Sequence, residues 1–208
     1  GSLRLLSGRE MLQTLRTTFP AVPIAAFTAT AIPEVQRDII SQLNLRSAKT
    51  YVASFNRTNL FYKVIPKTNA KESYHHLATI LHQHKNESGI IYCFSRKATE
   101  RLATKLSDDG FRALPYHAGL ESETRTLHQE RFIRDDVEIV VATIAFGMGI
   151  NKSNVRYVIH YNLPRNLESY YQETGRAGRD GLPSECILFY SYGDKITIEH
   201  FIEEKAAA

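Results

Sequence analysis

The stretch YYQETGRAGRDG (170–181) carries the strongest chemical signal in the chain, with glycines at 175, 178 and 181 set among Arg176 and Arg179. On a helical turn two residues three apart project to one side, and the glycines leave that side uncrowded. Two permanently charged forks on an open surface suit a polyphosphate, whose charge they offset as it builds during phosphoryl transfer. Taken alone, the same pattern is also that of a solvated loop. A second glycine segment, ATIAFGMGINK (142–152), puts Gly147 and Gly149 where a backbone must approach a ligand closely or take positive φ. An ordinary glycine turn is the alternative there.

Both segments need a frame to hold them. Short apolar runs rich in Val, Ile, Tyr and Phe predict strands at 61–65, 89–94, 113–117, 137–142, 155–161 and 185–191. Several are apolar on consecutive residues, as strands covered on both faces are, so the sheet is expected to be mostly parallel. Between them Tyr74, Leu77, Leu81 and His84, then Ala98, Leu102 and Leu106, recur at helical spacing. Repeated strand–helix–strand units predict a three-layer α/β domain. In such sheets ligands bind beyond the carboxyl ends of the strands, where Ser95-Arg96, His117 to Gly119, Thr143 to Gly149 and Asn162 to Pro164 fall.

The first 48 residues read differently: a helical piece (9–18), one apolar strand VPIAAF (22–27), the turn TATA (28–31), and a helix from Pro33 to Leu43. Pro33 and Glu34 suit a first helical turn. One strand cannot make a sheet, so this segment is expected to be the end of a neighbouring domain. An exposed run such as VPIAAF invites pairing with a second molecule, giving a crystal or domain-swapped dimer.

The chain has 208 residues, 43% hydrophobic and 23% charged, which excludes disordered, collagenous and coiled-coil classes. Lys plus Arg (26) exceed Asp plus Glu (22), a mild bias compatible with a phosphate-bearing partner. Cys93 and Cys186 sit in apolar runs without metal-ligand spacing and are expected to be reduced core thiols. His75, His76, His82 and His84 are read as exposed, and no metal site is expected. No stretch nears the roughly 18 apolar residues of a membrane span, so a soluble, intracellular protein without membrane contact is expected. Gly1-Ser2 and Ala206 to Ala208 resemble expression scars.

Taken together, FTATA (27–31), GIIYCFSR (89–96), LPYHAGL (114–120), VVATIAFGMGINK (140–152) and QETGRAGRDG (172–181) resemble motifs III, IV, the segment after IV, V and VI of the RecQ family of superfamily 2 DNA helicases. The run 149–183 looks like bacterial members. The resemblance implies a RecA-like motor of two lobes, with ATP and Mg2+ between them and single-stranded DNA or DNA junctions crossing both, moving 3′ to 5′. Residues 1–48 would be the scar and the end of the first lobe, 49–205 the second lobe, and 206–208 a tail. No phosphate loop or acidic magnesium box is present, so the chain is expected to lack tightly bound cofactor and to be inactive without the missing first lobe.

By the same resemblance Arg179 is the arginine finger, Arg176 a second phosphate contact, and Gln172 a link to the interlobe cleft. Gly147 and Gly149 join the nucleotide side; Ser95, Arg96, His117 and Thr143 touch DNA phosphates. Asn151 stands where relatives carry aspartate, and Thr28 and Thr30 would couple nucleotide state to DNA grip. His117 reads equally as a satisfied structural residue. A non-catalytic module binding single-stranded nucleic acid or a partner protein is the main alternative; a DEAD-box or chromatin-remodelling lobe shares the fold but carries a different motif VI.

Overall fold

A computed structural model of the chain describes residues 14–15, 17–27, 33–51, 57–143 and 152–194. The chain divides into two compact units, residues 1–56 and 57–208.

In the first unit, helix α1 (Pro33–Gln42) opens on Pro33 and Glu34, as those residue types favour. It closes where Asn44 takes φ 47° and the Leu45 N–H reaches back to the Ile40 carbonyl at 3.0 Å. The predicted strand VPIAAF is not formed: residues 23–27 are neither helix nor strand, and Phe27 is exposed. An apolar run becomes a strand only beside a partner that takes its hydrogen bonds, and among the described residues of this unit there is none. Of the predicted helix 9–18, residues 14, 15, 17 and 18 are described and helical. The TATA turn, with Thr28 and Thr30, lies outside the described residues.

The second unit holds β1 (Leu60–Pro66), α2 (Ala70–Gln83), β2 (Ser88–Tyr92), α3 (Arg96–Asp108), β3 (Ala113–Tyr116), α4 (Ser122–Ile133), β4 (Ile139–Ala142), β5 (Val155–His160), α5 (Leu167–Thr174) and β6 (Ser184–Tyr190). All six predicted strands are present, within two residues at most ends. The sheet order is β1-β6-β5-β2-β4-β3, and every neighbouring pair is parallel.

Two buried clusters show the three layers. On one face Leu77, Ile80 and Leu81 of α2 and Leu102, Ala103 and Leu106 of α3 pack on Ile91, Val141, Ile159, Ile187 and Phe189. On the other, Phe132 of α4 and Ala177 pack with Ile90, Tyr92, Val140, Val158 and Cys186. The interior strands β2 and β4 are buried at every position, which explains their apolar runs. Gly89 is required in β2, since a Cβ there would stand 1.9 Å from the Tyr157 ring.

Local chemistry fixes the helix starts. Asn69, Ser95 and Asn166 accept hydrogen bonds from the backbone N–H groups of Glu72, Ala98 and Ser169. The chain leaves β2 toward β3 on one side and leaves β5 toward β6 on the other. Neighbouring strands whose connections diverge open a crevice at their carboxyl ends, which here lies at Tyr92 and His160.

Candidate functional site

Helix α5 descends from Asn166 and ends at Thr174, where Gly175 donates to the Tyr171 carbonyl at 2.9 Å. Arg176 and Arg179 therefore lie in the turns that follow the helix. The glycines are the cause: Gly178 (φ 55°) and Gly181 (φ 83°) take left-handed conformations that leave the helix. The Gly178 N–H donates to the Val155 carbonyl at 2.8 Å, stitching the turn to the start of β5.

Arg179 is exposed and Arg176 half-buried. Arg176 hydrogen-bonds to the hydroxyl of Tyr92 at the end of β2, and burial holds that phenol well above its usual range, so it stays protonated. Partial burial first, then the neighbouring guanidiniums of Arg176 and Arg57, push the Arg179 pKa down. Like charges are thus gathered. The acid next to Arg179 is occupied elsewhere: Asp180 binds Arg156 with both carboxylate oxygens at 2.6 Å, and that hydrogen-bonded pair holds Asp180 below the ordinary carboxylate range. Gln172 is exposed on α5.

Beneath the turn, His160 at the end of β5 lies 2.6 Å through Nε2 from Glu173 Oε2, with side chains 1% and 5% exposed. The imidazole stacks on Tyr92, ring centroids 5.1 Å apart, and meets Tyr170 at 4.9 Å.

The predicted DNA-side residues form a second group. The Ser95 hydroxyl caps α3, accepting from Ala98 N–H at 3.2 Å. Arg96 follows it, exposed. A Cβ on Gly119 would stand 3.0 Å from Cδ and Nη1 of Arg96 and 3.2 Å from Nδ1 of His117, so the glycine lets arginine and histidine approach. His117 is 2% exposed; its Nδ1 accepts from Gly119 N–H at 3.2 Å, and Nε2 faces Glu100 Oε1 at 3.0 Å. That Glu100 contact is an ion-pair approach whose angle falls short of a hydrogen bond. Thr143 is half-buried at the end of β4, its N–H donating to the Tyr116 carbonyl at 3.2 Å. Gly147, Gly149 and Asn151 lie outside the described residues.

Arg57, Asn59, Tyr92, His160 and Glu173 were not singled out by sequence. Tyr92 and His160 could have been found as polar-tipped residues ending buried strands. Arg57 and Asn59 offer no local signal, because their partners at 177–182 are more than a hundred residues away.

The cysteines meet expectation: both are free and buried, their thiols pushed up to about 12 by burial. His75, His76 and His82 are exposed, but His84 is half-buried, 2.6 Å from Glu87 and 3.4 Å from Glu185. Among the described residues no cluster of His, Cys, Asp or Glu could hold a metal ion, and no helix is long and apolar enough to cross a membrane. The gathered guanidiniums have the chemistry to hold a polyphosphate.

Residues 72–181 match the helicase conserved C-terminal domain family. The ATP-dependent DNA helicase RecQ of Pasteurella multocida (strain Pm70) is 50% identical over 191 residues, covering 92% of this chain and 30% of that protein. The RecQ-like DNA helicase BLM of Xenopus laevis is 48% identical over 195 residues, covering 93% of this chain and 14% of its own length. The chain thus spans under a third of the length of these relatives. The fold is similar to the crystal structure of a DEAD box protein from the hyperthermophile Methanococcus jannaschii, with a TM-score of 0.62 and 24% identity, covering 84% of this chain and 47% of that one.

Proposed function

The chain belongs to the helicase conserved C-terminal domain family and, from that membership, we propose that it acts as the second motor lobe of a RecQ-like ATP-dependent 3′–5′ DNA helicase. Arg179 acts as the arginine finger toward a triphosphate held by a first lobe. The observation that carries this reading is the exposed Arg179, beside Arg176 and Arg57, on a turn whose own acid, Asp180, is bound to Arg156.

Each residue's part follows from its chemistry. The Arg179 guanidinium presents two parallel N–H donors to phosphate oxygens, and its charge offsets the charge that builds on them. Arg176, oriented by Tyr92, contacts the same polyphosphate from a fixed position. Arg96 supplies a cationic contact to a DNA phosphate beyond the end of β2, and Thr143 a hydroxyl beyond β4; both hold the strand without reading its bases. Ser95, already capping α3, contributes through the exposed start of that helix, while His117 holds the Gly119 N–H beside it. Bound ATP supplies the phosphoanhydride whose cleavage drives movement.

A single lobe without a phosphate loop gives no turnover. The test is complementation: the chain is mixed with a separately made phosphate-loop lobe of a relative, and DNA-stimulated ATP hydrolysis is measured. We expect no turnover from the chain alone, restored turnover in the mixture, and a loss of about three orders of magnitude or more for Arg179→Ala. Full turnover by the Arg179→Ala mixture would refute the finger. DNA binding without restored hydrolysis would favour the non-catalytic module.

A further inference from the structure

Arg57 and Asn59 precede β1, outside every motif named above, yet both side chains reach the arginine turn. Arg57 Nη2 donates to the carbonyls of Ala177 (3.1 Å) and Gly178, while its Nε donates to Asn59 Oδ1 at 3.3 Å. Held by that contact, the Asn59 amide donates through Nδ2 to Gly178 O (2.9 Å) and Leu182 O (2.8 Å). The Asn59 carbonyl in turn accepts from Ser184 N–H at 2.9 Å, anchoring the pair to the start of β6. Gly178 is the point of convergence: a Cβ there would stand 2.5 Å from Asn59 Nδ2.

We propose that Arg57 and Asn59 form a clamp on the carbonyls of Ala177, Gly178 and Leu182 that positions Arg179 for polyphosphate. The clamp rests on the reading of Arg179 given above. Three features argue for it. The turn carries three glycines and would otherwise sample many conformations, and a guanidinium contributes most when its geometry is set before the ligand arrives. The clamp grips the peptide groups on either side of the Gly178 Cα, immediately before Arg179. It also places a third guanidinium at the site, adding charge without offering an acid that would occupy Arg179.

Geometry and charge are separable by substitution. Arg57→Lys keeps the cation but loses the fork that reaches two carbonyls and Asn59 at once. Asn59→Ala removes the amide donors with no change of charge. The probe is inorganic tripolyphosphate, titrated into the whole chain and followed by the Nε–Hε resonances of its arginines, with urea midpoints recorded for every variant. We expect Arg57→Lys and Asn59→Ala each to weaken binding about fivefold to tenfold and to shift the free Arg179 resonance. In an Arg179→Ala background they should add nothing, because they act through that residue.

Equal weakening by Arg57→Lys with and without Arg179 would overturn the clamp, since Arg57 would then act directly. Arg179→Ala weakening binding while both clamp variants match the parent would also overturn it, leaving the function intact. Should Arg179→Ala bind as the parent does, or the parent bind no tripolyphosphate, the functional reading itself fails and the clamp falls with it. If Arg57→Lys does not fold, Asn59→Ala decides alone.

Discussion

Replacing Gly178 by alanine should cost about 3 kcal/mol, a value that can be worked from two separate contributions. Gly178 takes φ 55°, and putting an L side chain into the left-handed region costs about 1–2 kcal/mol. The new methyl would also stand 2.5 Å from Asn59 Nδ2, 2.7 Å from Ser184 Oγ and 2.8 Å from the Leu182 carbonyl oxygen. The last is backbone and cannot swing aside, so overpacking adds about 1–3 kcal/mol. Gly181, in the same turn, is the internal control: its φ is 83°, yet a Cβ there meets nothing within 4 Å. Gly181→Ala should therefore show the conformational cost alone, about 1 kcal/mol. Urea unfolding at constant slope measures both, and the midpoint of Gly178→Ala should lie clearly below that of Gly181→Ala. Equal losses at the two positions, or a loss below about 0.5 kcal/mol at 178, would refute the close approach and with it the convergence of Asn59 and Ser184 on this peptide.

Asp135→Asn should cost about 2 kcal/mol at neutral pH, because Lys152, 3% exposed, would lose its counter-charge at 2.7 Å and, among the described residues, face only neutral acceptors, the new amide oxygen at that position and the Ile133 carbonyl at 3.4 Å, and the Phe132 ring; the partly exposed carboxylate keeps the figure below that of a fully buried pair. Asp135 is held below its ordinary value mainly by its hydrogen bond to Lys152, and Asp180 by that to Arg156. A depressed carboxylate contributes stability that is complete above about pH 4 and is lost as pH falls through the folded-state value, so the urea midpoint should decline below that pH and less steeply in Asp135→Asn. A midpoint that rises on acidification would contradict both pairs. Cys93 and Cys186, with thiols pushed up to about 12, should not react with a disulfide reagent at pH 8 in the native state and should react fully in urea.

Strands β2, β4, β5 and β6 were legible because a strand packed on both faces must be apolar at successive positions, and few other structures impose that. The same signal misled at VPIAAF, where composition was right but no neighbouring strand is at hand among the described residues of the unit; pairing is a tertiary fact that an apolar run cannot carry. Arg176 and Arg179 stand out in the sequence as two arginines among glycines, but that they lie past the end of α5 does not, because it depends on where the Gly178 N–H leaves the helix for the Val155 carbonyl. The grip of Arg57 and Asn59 on that turn was invisible. It joins residues at opposite ends of the domain, and only the pairing of β1 with β6 brings them together.

Gathering Arg57, Arg176 and Arg179 carries an electrostatic cost, and the buried His160–Glu173 pair lies next to the cluster across Tyr92. No described group partners His160 Nδ1. A buried donor left unmatched costs more than a lone pair left bare, so the imidazole is best satisfied carrying its proton on Nε2, toward Glu173 Oε2 at 2.6 Å. Glu173 acts on the Tyr92 hydroxyl in the opposite sense to Arg176 and Arg179. Tyr92 thus links the two groups: its hydroxyl meets Arg176 while its ring stacks on the imidazole that holds Glu173.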